Sequence, residues 1–209
     1  MVNAVKTTTL LIACGALARE IKIVQRQGGW DHLAVRCLPA KLHNTPDQIP
    51  TAVRQVLEET AGRYAETFVA YADCGTGGKL DLVLNEFGVE RLPGAHCYEF
   101  FAGGRRFAAL HDEEPGTFYL TDFLVRHFDR LVVRALGIDR HPELMPLYFG
   151  NYRRVVHLGQ VRSEELTAKS RACAERLGLE FESHFTGLKI FSRDIGSACP
   201  HTASMEKTS

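Results

Sequence analysis

Short apolar runs alternate with helical patterns through the first half of the chain. Residues 8–14 are mostly apolar and are followed by Gly15, a pattern that is typical of a buried strand. Residues 33–38 and 68–72 have the same character and predict two further strands. Apolar positions at three- and four-residue intervals predict helices between and after them, over residues 16–25, 46–61 and 80–87. This order favours a parallel sheet with helices on both faces.

The second half of the chain is less regular but contains the same elements. Its pattern predicts a loop over 94–104, helices over 121–136 and 166–177, and strands over 107–110, 154–158, 179–182 and 188–191. We therefore predict an α/β fold with a mostly parallel, doubly wound, Rossmann-like sheet. The predicted domain covers residues 1–191 and precedes a flexible tail over 192–209. An alternative is two α/β lobes that meet near residues 110–150.

Composition places the chain among globular proteins. Of its 209 residues, 45% are hydrophobic and 24% are charged, which argues against disorder and fibrous repeats. The 25 basic and 25 acidic residues cancel, so the chain lacks the positive charge expected of a nucleic-acid-binding protein. Apolar runs are all shorter than the roughly 18 residues that span a bilayer. We expect no nucleic-acid partner and no membrane association.

The amino-terminal segment contains a possible lipidation motif. Leu11-Ile12-Ala13-Cys14 is similar to a bacterial lipoprotein cleavage box, but the apolar stretch before Cys14 is shorter than the roughly 7–15 residues of a signal peptide core. A buried strand explains these residues better. A chain with this much core potential does not need disulfides, so we expect reduced thiols and a cytoplasmic protein.

Several cysteines follow predicted strands closely. Because the carboxyl ends of parallel strands meet at one edge of a sheet, thiols distant in sequence can converge there. Thiolate and imidazole are zinc ligands, and cysteine ligation also permits an iron–sulfur cluster. The predicted metal ligands are Cys14, His43, Cys74, His96 and Cys97. Whether Cys37 joins them is left open. No Cys-x-x-Cys pair occurs, and the alternative is that these cysteines pack as small hydrophobic residues.

A glycine-rich segment follows the third predicted strand. Such a loop exposes backbone N–H groups that suit a phosphate or carboxylate. Its Asp-x-Gly-x-Gly spacing resembles the first motif of S-adenosylmethionine-dependent methyltransferases, although that family usually carries the motif on its first strand. The predicted cofactor-binding residues are Asp73, Gly75, Thr76, Gly77 and Gly78. A tight turn without a ligand is the alternative.

Two carboxylates are candidates for proton transfer. Glu99 follows the His96-Cys97 pair, and Glu114 lies in a turn that contains Pro115 and Gly116. Either could serve as a general acid or base at the mouth of the site. An ordinary solvated turn is the alternative for Glu114. The chain has no Gly-x-Ser-x-Gly motif, so nothing in the sequence predicts Ser/His/Asp catalysis.

Taken together, these segments resemble an uncharacterised family of bacterial and archaeal proteins, a domain of unknown function. The similarity covers about residues 10–191. Members are often encoded near corrinoid-dependent methylamine methyltransferases, so the resemblance implies a link to one-carbon metabolism and a corrinoid protein or methyltransferase as partner. The motifs that carry it are Ala13-Cys14-Gly15, Leu42-His43-Asn44, Asp73-Cys74-Gly75-Thr76-Gly77-Gly78, His96-Cys97-Tyr98-Glu99, Glu114-Pro115-Gly116-Thr117-Phe118 and Tyr148-Phe149-Gly150-Asn151-Tyr152.

Three functional hypotheses follow. The first is a metal-binding protein, with zinc as the expected ion, that acts on a small molecule as an enzyme or accessory protein in methyl or thiol group transfer. The second is an S-adenosylmethionine-dependent methyltransferase that uses the Asp73–Gly78 loop. The third is a non-enzymatic carrier of a metal, a corrinoid or a small anion.

Overall fold

The computed structural model describes residues 8–199. Within this range the chain forms two compact units, one from the residues up to His96 together with those from Phe191 onward, the other from Cys97–Ile190. The described strands pair in parallel throughout, as a four-stranded and a three-stranded sheet surrounded by helices. The α/β class and the parallel strands are confirmed. No helix among residues 8–199 is both long enough and apolar enough to cross a membrane.

The first unit is built on the sheet of order β2-β1-β3-β4. All six residues of β1 are buried, because β1 is flanked by strands on both sides and its apolar run fills both faces. The strands are β1 Thr9–Cys14, β2 Leu33–Leu38, β3 Glu66–Ala70 and β4 Glu90–Arg91. The helices are α1 Ala18–Gly28, α2 Ile49–Thr60 and α3 Lys79–Phe87, with 3-10 turns at Gly15–Leu17, Ala40–Asn44 and Pro46–Gln48.

The strand order of this sheet creates a topological switch point. From β1 the chain moves to β2 on one side, then returns to β3 on the other side of β1. In parallel α/β sheets, the crevice at the carboxyl ends of the strands beside such a point is where ligands bind. Register places Ala13 of β1 opposite Ala70 of β3, so the residues that follow these two positions border the crevice.

The second unit carries the sheet of order β5-β6-β7. Its apolar cluster fills the space between β5, β6, α6 and α8 and includes Leu120, Leu124, Val155 and Leu166. The strands are β5 Thr117–Thr121, β6 Arg154–Gly159 and β7 Glu180–Phe185. The helices are α4 Glu99–Ala102, α5 Gly104–Glu113, α6 Asp122–Arg126, α7 Met145–Phe149 and α8 Glu164–Leu177, with a 3-10 turn at Pro142–Leu144. A further helix, α9 Lys189–Ala198, leads back to the first unit.

Two segments predicted as strands are helical. Residues 107–110 lie within α5, where Phe107 and Leu110 are three positions apart and are both buried on one helical face. Residues 188–191 fall at the start of α9, which buries Phe191 and Ile195 four positions apart. The predicted tail over 192–209 therefore begins within a helix, and its last ten residues lie outside the described part of the chain.

The helix predicted over residues 121–136 is interrupted. Its first part is α6, capped by the Thr121 side chain, which accepts a hydrogen bond from the N–H of Leu124 at 3.4 Å. The second part is a π-helical turn, Asp129–Val133. Phe128 and Val132 are buried all the same, so the apolar stripe is kept although the helix is not continuous.

Candidate functional site

The carboxyl edge of the first sheet carries two of the predicted thiol ligands, Cys14 and Cys74, together with Cys37, which the sequence left open. We call the group formed by Cys14, Cys37, Tyr71 and Cys74 the thiol edge. Cys14 is the last residue of β1 and is 8% exposed. Tyr71 directly follows β3, and Cys74 lies in the loop that leads to α3. Since β1 and β3 flank the switch point, Cys14 and Tyr71 lie at the edge where such folds bind their ligands.

Burial governs the chemistry of Cys14 and Tyr71. Burial is the largest influence on the Cys14 thiol and raises its pKa. A backbone hydrogen bond with Ala16 and the interaction with Tyr71 lower this pKa in part. The neighbouring Cys74 and Cys37 raise it further. Burial, followed by Cys14, also raises the pKa of Tyr71 far above its ordinary range. Both groups therefore stay protonated at neutral pH.

Cys37 lies at the exposed side of the thiol edge. It belongs to the edge strand β2, where it pairs in register with Ala13. Partial burial of its sulfur raises the pKa of the Cys37 thiol. Its thiol interacts electrostatically with both Cys14 and Tyr71. The structure thus places Cys37 beside Cys14 and Tyr71.

The glycine-rich loop is folded around the side chain of Asp73. One carboxylate oxygen accepts hydrogen bonds from the Thr76 hydroxyl and the Gly78 N–H, both at 2.8 Å, and the other accepts from the Gly77 N–H at 3.1 Å. These hydrogen bonds lower the pKa of Asp73, and the bond from the Gly78 N–H has the largest effect. Donors that an external anion would use are therefore already occupied by a carboxylate of the chain itself.

Cys74 has an unusual backbone conformation. Its φ of 50° is the only positive value at a residue other than glycine among residues 8–199. This conformation costs a residue with a side chain about 1 kcal/mol. The N–H of Asp73 donates to the Gly94 carbonyl at 3.0 Å and that of Cys74 to the Ala95 carbonyl at 2.8 Å, which holds the turn in place. Strain of this kind is found mainly at functional sites.

A positive charge lies close to Cys74. Arg91 ends β4, and its Nε and Nη2 donate to the two carboxylate oxygens of Asp81 at 2.6 and 2.9 Å. Hydrogen bonding to Asp81 raises the pKa of Arg91, and Asp73 and Cys74 raise it further. Because the interaction between two charges is mutual, Arg91 would attract a thiolate at Cys74, although Asp81 and Asp73 place negative charge beside the same guanidinium.

The two predicted histidine ligands interact with each other. His43 lies in the 3-10 turn after β2, and His96 is the last residue of the first segment of this unit. His43 keeps part of its surface exposed, but protein atoms displace much of the water around its ring, and this lowers its pKa. The nearby His96 lowers the pKa of His43 further. His43 is therefore mainly neutral at pH 7 and can accept a proton or bind a cation.

The remaining predicted site residues, Cys97, Glu99 and Glu114, all lie in the second unit. The Cys97 carbonyl accepts a hydrogen bond from the Phe100 N–H at 3.2 Å, and Glu99 starts α4. Glu114 turns its carboxylate back onto its own loop, where Oε1 accepts from the Gly116 N–H at 2.7 Å. Their participation in a common site with Cys74 stays a prediction.

The sequence predicts that a metal ion is bound by Cys14, His43, Cys74, His96 and Cys97. Within residues 8–199, no three histidine, cysteine or acidic side chains are grouped so that one ion could bind them all. Cys14 and Cys74 nevertheless interact electrostatically, since Cys74 raises the pKa of Cys14. The structure describes all six cysteines as thiols. Zinc, iron–sulfur and corrinoid binding stay predictions.

A family model described as "Protein of unknown function (DUF1638)" matches residues 37–194, which is more than half of the chain. The chain belongs to this family. The resemblance to an uncharacterised family is thereby confirmed. No curated protein and no solved structure matches this DUF1638 chain. The matched range includes His43, Cys74 and Cys97 but begins after Cys14.

Sequence reasoning missed two residues of this DUF1638 site. Tyr71 was assigned to the apolar end of a strand, and nothing local distinguishes it from a core aromatic residue. Arg91 comes from a two-residue strand, too short for a periodic pattern. Their roles depend on neighbours about 20 to 60 residues away, which only the strand order brings together.

The Asp73 loop makes a prediction about acid stability. Because the folded pKa of Asp73 is lowered below its ordinary 3.8, the stabilisation by its carboxylate is full above that value. It is lost as the pH falls through 3.8 and then through the folded pKa. We expect Asp73→Asn to be less stable than wild type near neutral pH and the difference to shrink on acidification. Urea unfolding from about pH 6 to about pH 3 measures it.

Asp139→Asn, at an exposed position, is the matched control and should follow wild type throughout. A stability difference for Asp73→Asn that is the same at every pH would contradict the hydrogen-bonded carboxylate.

Proposed function

We propose that the thiol edge is a small-molecule site for methyl or thiol group transfer, with Cys74 as the group that receives the transferred unit. The supporting observation is the position of Cys74, in a strained turn beside the switch point and close to Arg91. The chain would act as an enzyme or as an accessory protein of one-carbon or thiol metabolism. A corrinoid protein or a methyltransferase is the proposed partner.

The proposed step is a displacement at an electrophilic carbon of the substrate. The Cys74 thiolate forms an S–C bond while the bond from that carbon to the leaving group breaks. The leaving group departs with the electron pair and takes up the proton that Cys74 gave away. His43, whose lowered pKa keeps it mainly neutral, is the proposed carrier of this proton. Cys14 and Tyr71 stay protonated and so do not compete with Cys74 as nucleophiles.

Thiol labelling tests this assignment. We expect iodoacetamide to modify Cys74 about tenfold faster than Cys37 at neutral pH, although Cys37 is the more exposed, because Arg91 favours the thiolate. The measurement is the rate of modification of each cysteine-containing peptide by mass spectrometry. Cys74→Ser should remove the fast phase.

Cys37→Ser is the matched control and should leave the fast phase unchanged. If Cys37 were modified first in wild type, or if the fast phase persisted in Cys74→Ser, Cys74 would not be the reactive group.

Zinc binding is a second candidate function, favoured by the coupling between Cys14 and Cys74. When bound, zinc would stabilise both thiolates and act as a Lewis acid towards a substrate thiol or amine. Completion of the site by His43, His96 or Cys97 is part of this proposal. The described residues contain no group of three metal ligands, so the displacement step proposed for Cys74 does not involve zinc.

Metal analysis tests the zinc proposal. Protein purified without oxygen should hold about one equivalent of zinc, and Cys74→Ser should lose it while keeping its circular dichroism spectrum. A content below about 0.2 equivalents would exclude zinc as a resident ion. Cys173→Ser, which changes a core cysteine of the second unit, is the matched control.

Two further interpretations stay proposals. An S-adenosylmethionine-dependent methyltransferase would use the loop over residues 73–78, but Asp73 already accepts from the backbone N–H groups of Gly77 and Gly78. A carrier of a metal, corrinoid or small anion would need the same edge without turnover. The thiol edge supports group transfer better, because it combines a strained thiol with a nearby cation.

A further inference from the structure

The second unit contains a cleft that is lined only by residues of this unit. It has a volume of about 420 Å³ and lies between the carboxyl halves of β6 and β7 and the first turns of α8. Its wall includes His157 of β6 and Ser183 and Phe185 of β7. These side chains stand at the carboxyl ends of parallel strands, which is where α/β folds bind their ligands.

A chain of three polar side chains ends in this cleft. Asp122 is fully buried, and its Oδ1 lies 2.9 Å from His157 Nε2. The other oxygen, Oδ2, accepts from the N–H groups of Gln160 at 3.2 Å and Val161 at 3.0 Å, which fixes the carboxylate. His157 is 2% exposed, and its Nδ1 lies 3.3 Å from the Oγ of Ser183, an exposed residue.

The position of Asp122 determines which ring nitrogen of His157 carries the proton. A carboxylate only accepts hydrogen bonds, so the hydrogen bond between Asp122 and His157 places a ring proton on Nε2. Nδ1 is then an acceptor for the Ser183 hydroxyl. A hydroxyl bonded to a buried, oriented imidazole is the arrangement that activates a serine nucleophile. Here the acid contacts Nε2 and the serine contacts Nδ1.

The rest of the wall has an anion-binding character. The Arg162 guanidinium stacks over the Phe185 ring at 4.1 Å, and that of Arg171 stacks over the Phe181 ring at 4.6 Å. Both arginines line the cleft, and neither forms an ion pair with the residues that the structure describes. Glu164 also lines it, so the cleft wall contains one carboxylate and two guanidinium groups. Two arginines held against aromatic rings suit a carboxylate or phosphate group.

We propose that this cleft is a second active site, in which Ser183 takes an acyl group from a small anionic ester or thioester. The Ser183 oxygen forms a bond to the acyl carbon, and its proton moves to His157. The bond to the leaving alcohol or thiol breaks, and the leaving group keeps the electron pair and receives that proton. Water then attacks the acyl-serine with His157 as base, which releases the acid and restores the hydroxyl. Arg162 and Arg171 hold the anionic group of the substrate.

A fluorophosphonate probe tests Ser183 directly. Attack forms an O–P bond while fluoride leaves with the electron pair of the P–F bond, so labelling needs an activated serine and no knowledge of the substrate. We expect mass spectrometry to find the label on the peptide that contains Ser183. Ser183→Ala should abolish labelling, and since Ser183 is exposed, this variant should fold. Ser192→Ala, outside the cleft, is the matched control.

Two esters of different charge test the arginines. With p-nitrophenyl succinate, which carries a free carboxylate, Arg171→Gln should raise KM about fivefold. With neutral p-nitrophenyl butyrate the same variant should change KM much less. Absence of label, label that persists in Ser183→Ala, or equal effects of Arg171→Gln on both esters would overturn the proposal.

Discussion

Asp122→Ala is expected to reduce the free energy of unfolding by about 3 to 5 kcal/mol, because it removes a fully buried acceptor from three donors. The His157 ring N–H and the backbone N–H groups of Gln160 and Val161 would lose the oxygen atoms that they contact at 2.9, 3.2 and 3.0 Å. Urea unfolding followed by circular dichroism measures the loss.

Asp129→Ala is the matched control for this variant. Asp129 pairs with Arg176 at the surface, and both side chains are largely exposed. Removal of such a pair typically costs less than about 1 kcal/mol. A similar loss for Asp122→Ala and Asp129→Ala would show that the buried hydrogen bonds do not hold β5 and β6 together.

Gly15→Ala is expected to destabilise the first unit by about 2 kcal/mol. Gly15 follows β1, and a Cβ atom added there would lie 2.7 Å from the Leu38 carbonyl oxygen and 3.1 Å from the Ala40 nitrogen. Both are backbone atoms, so relief requires the ends of β1 and β2 to separate. We expect urea unfolding to show the loss and Cys14, the preceding residue, to become more accessible to iodoacetamide.

Gly104→Ala separates crowding from the general effect of a methyl group. A Cβ atom at Gly104, the first residue of α5, would meet only the flexible end of Glu99 at 3.4 Å. Since alanine favours helix over glycine, this variant should be neutral or slightly more stable. If Gly15→Ala were equally neutral, the tight approach of β1 and β2 would not constrain the thiol edge.

The sequence predicts the first unit better than the second. Strand β1 is evident because its buried position between two strands requires a continuous apolar run. Strand β5 was missed, because Thr117 and Thr121 at its ends have the same residue type as loops and helix caps. Phe107 and Leu110 fit a strand or one turn of a helix equally well, and tertiary packing decides between the two.

The candidate site was predictable where a general rule applies. Cys14 and Cys74 could be placed together because parallel strands end at a common edge. The bonds between Asp73 and its own loop, and the polar chain from Asp122 through His157 to Ser183, have no sequence motif. The latter joins the first residue of α6 to β6 and β7 across 61 residues, a distance at which local spacing carries no information.

The titration of Cys14 measures most directly whether the thiols meet at the switch point. Selective 13C labelling of cysteine Cβ atoms lets NMR follow each thiol in wild type, in Cys74→Ser and in the core control Cys173→Ser. Since an ionised Cys74 raises the pKa of Cys14, we expect Cys74→Ser to lower the Cys14 pKa and Cys173→Ser to leave it unchanged. A Cys14 titration that is the same in all three proteins would contradict the thiol edge.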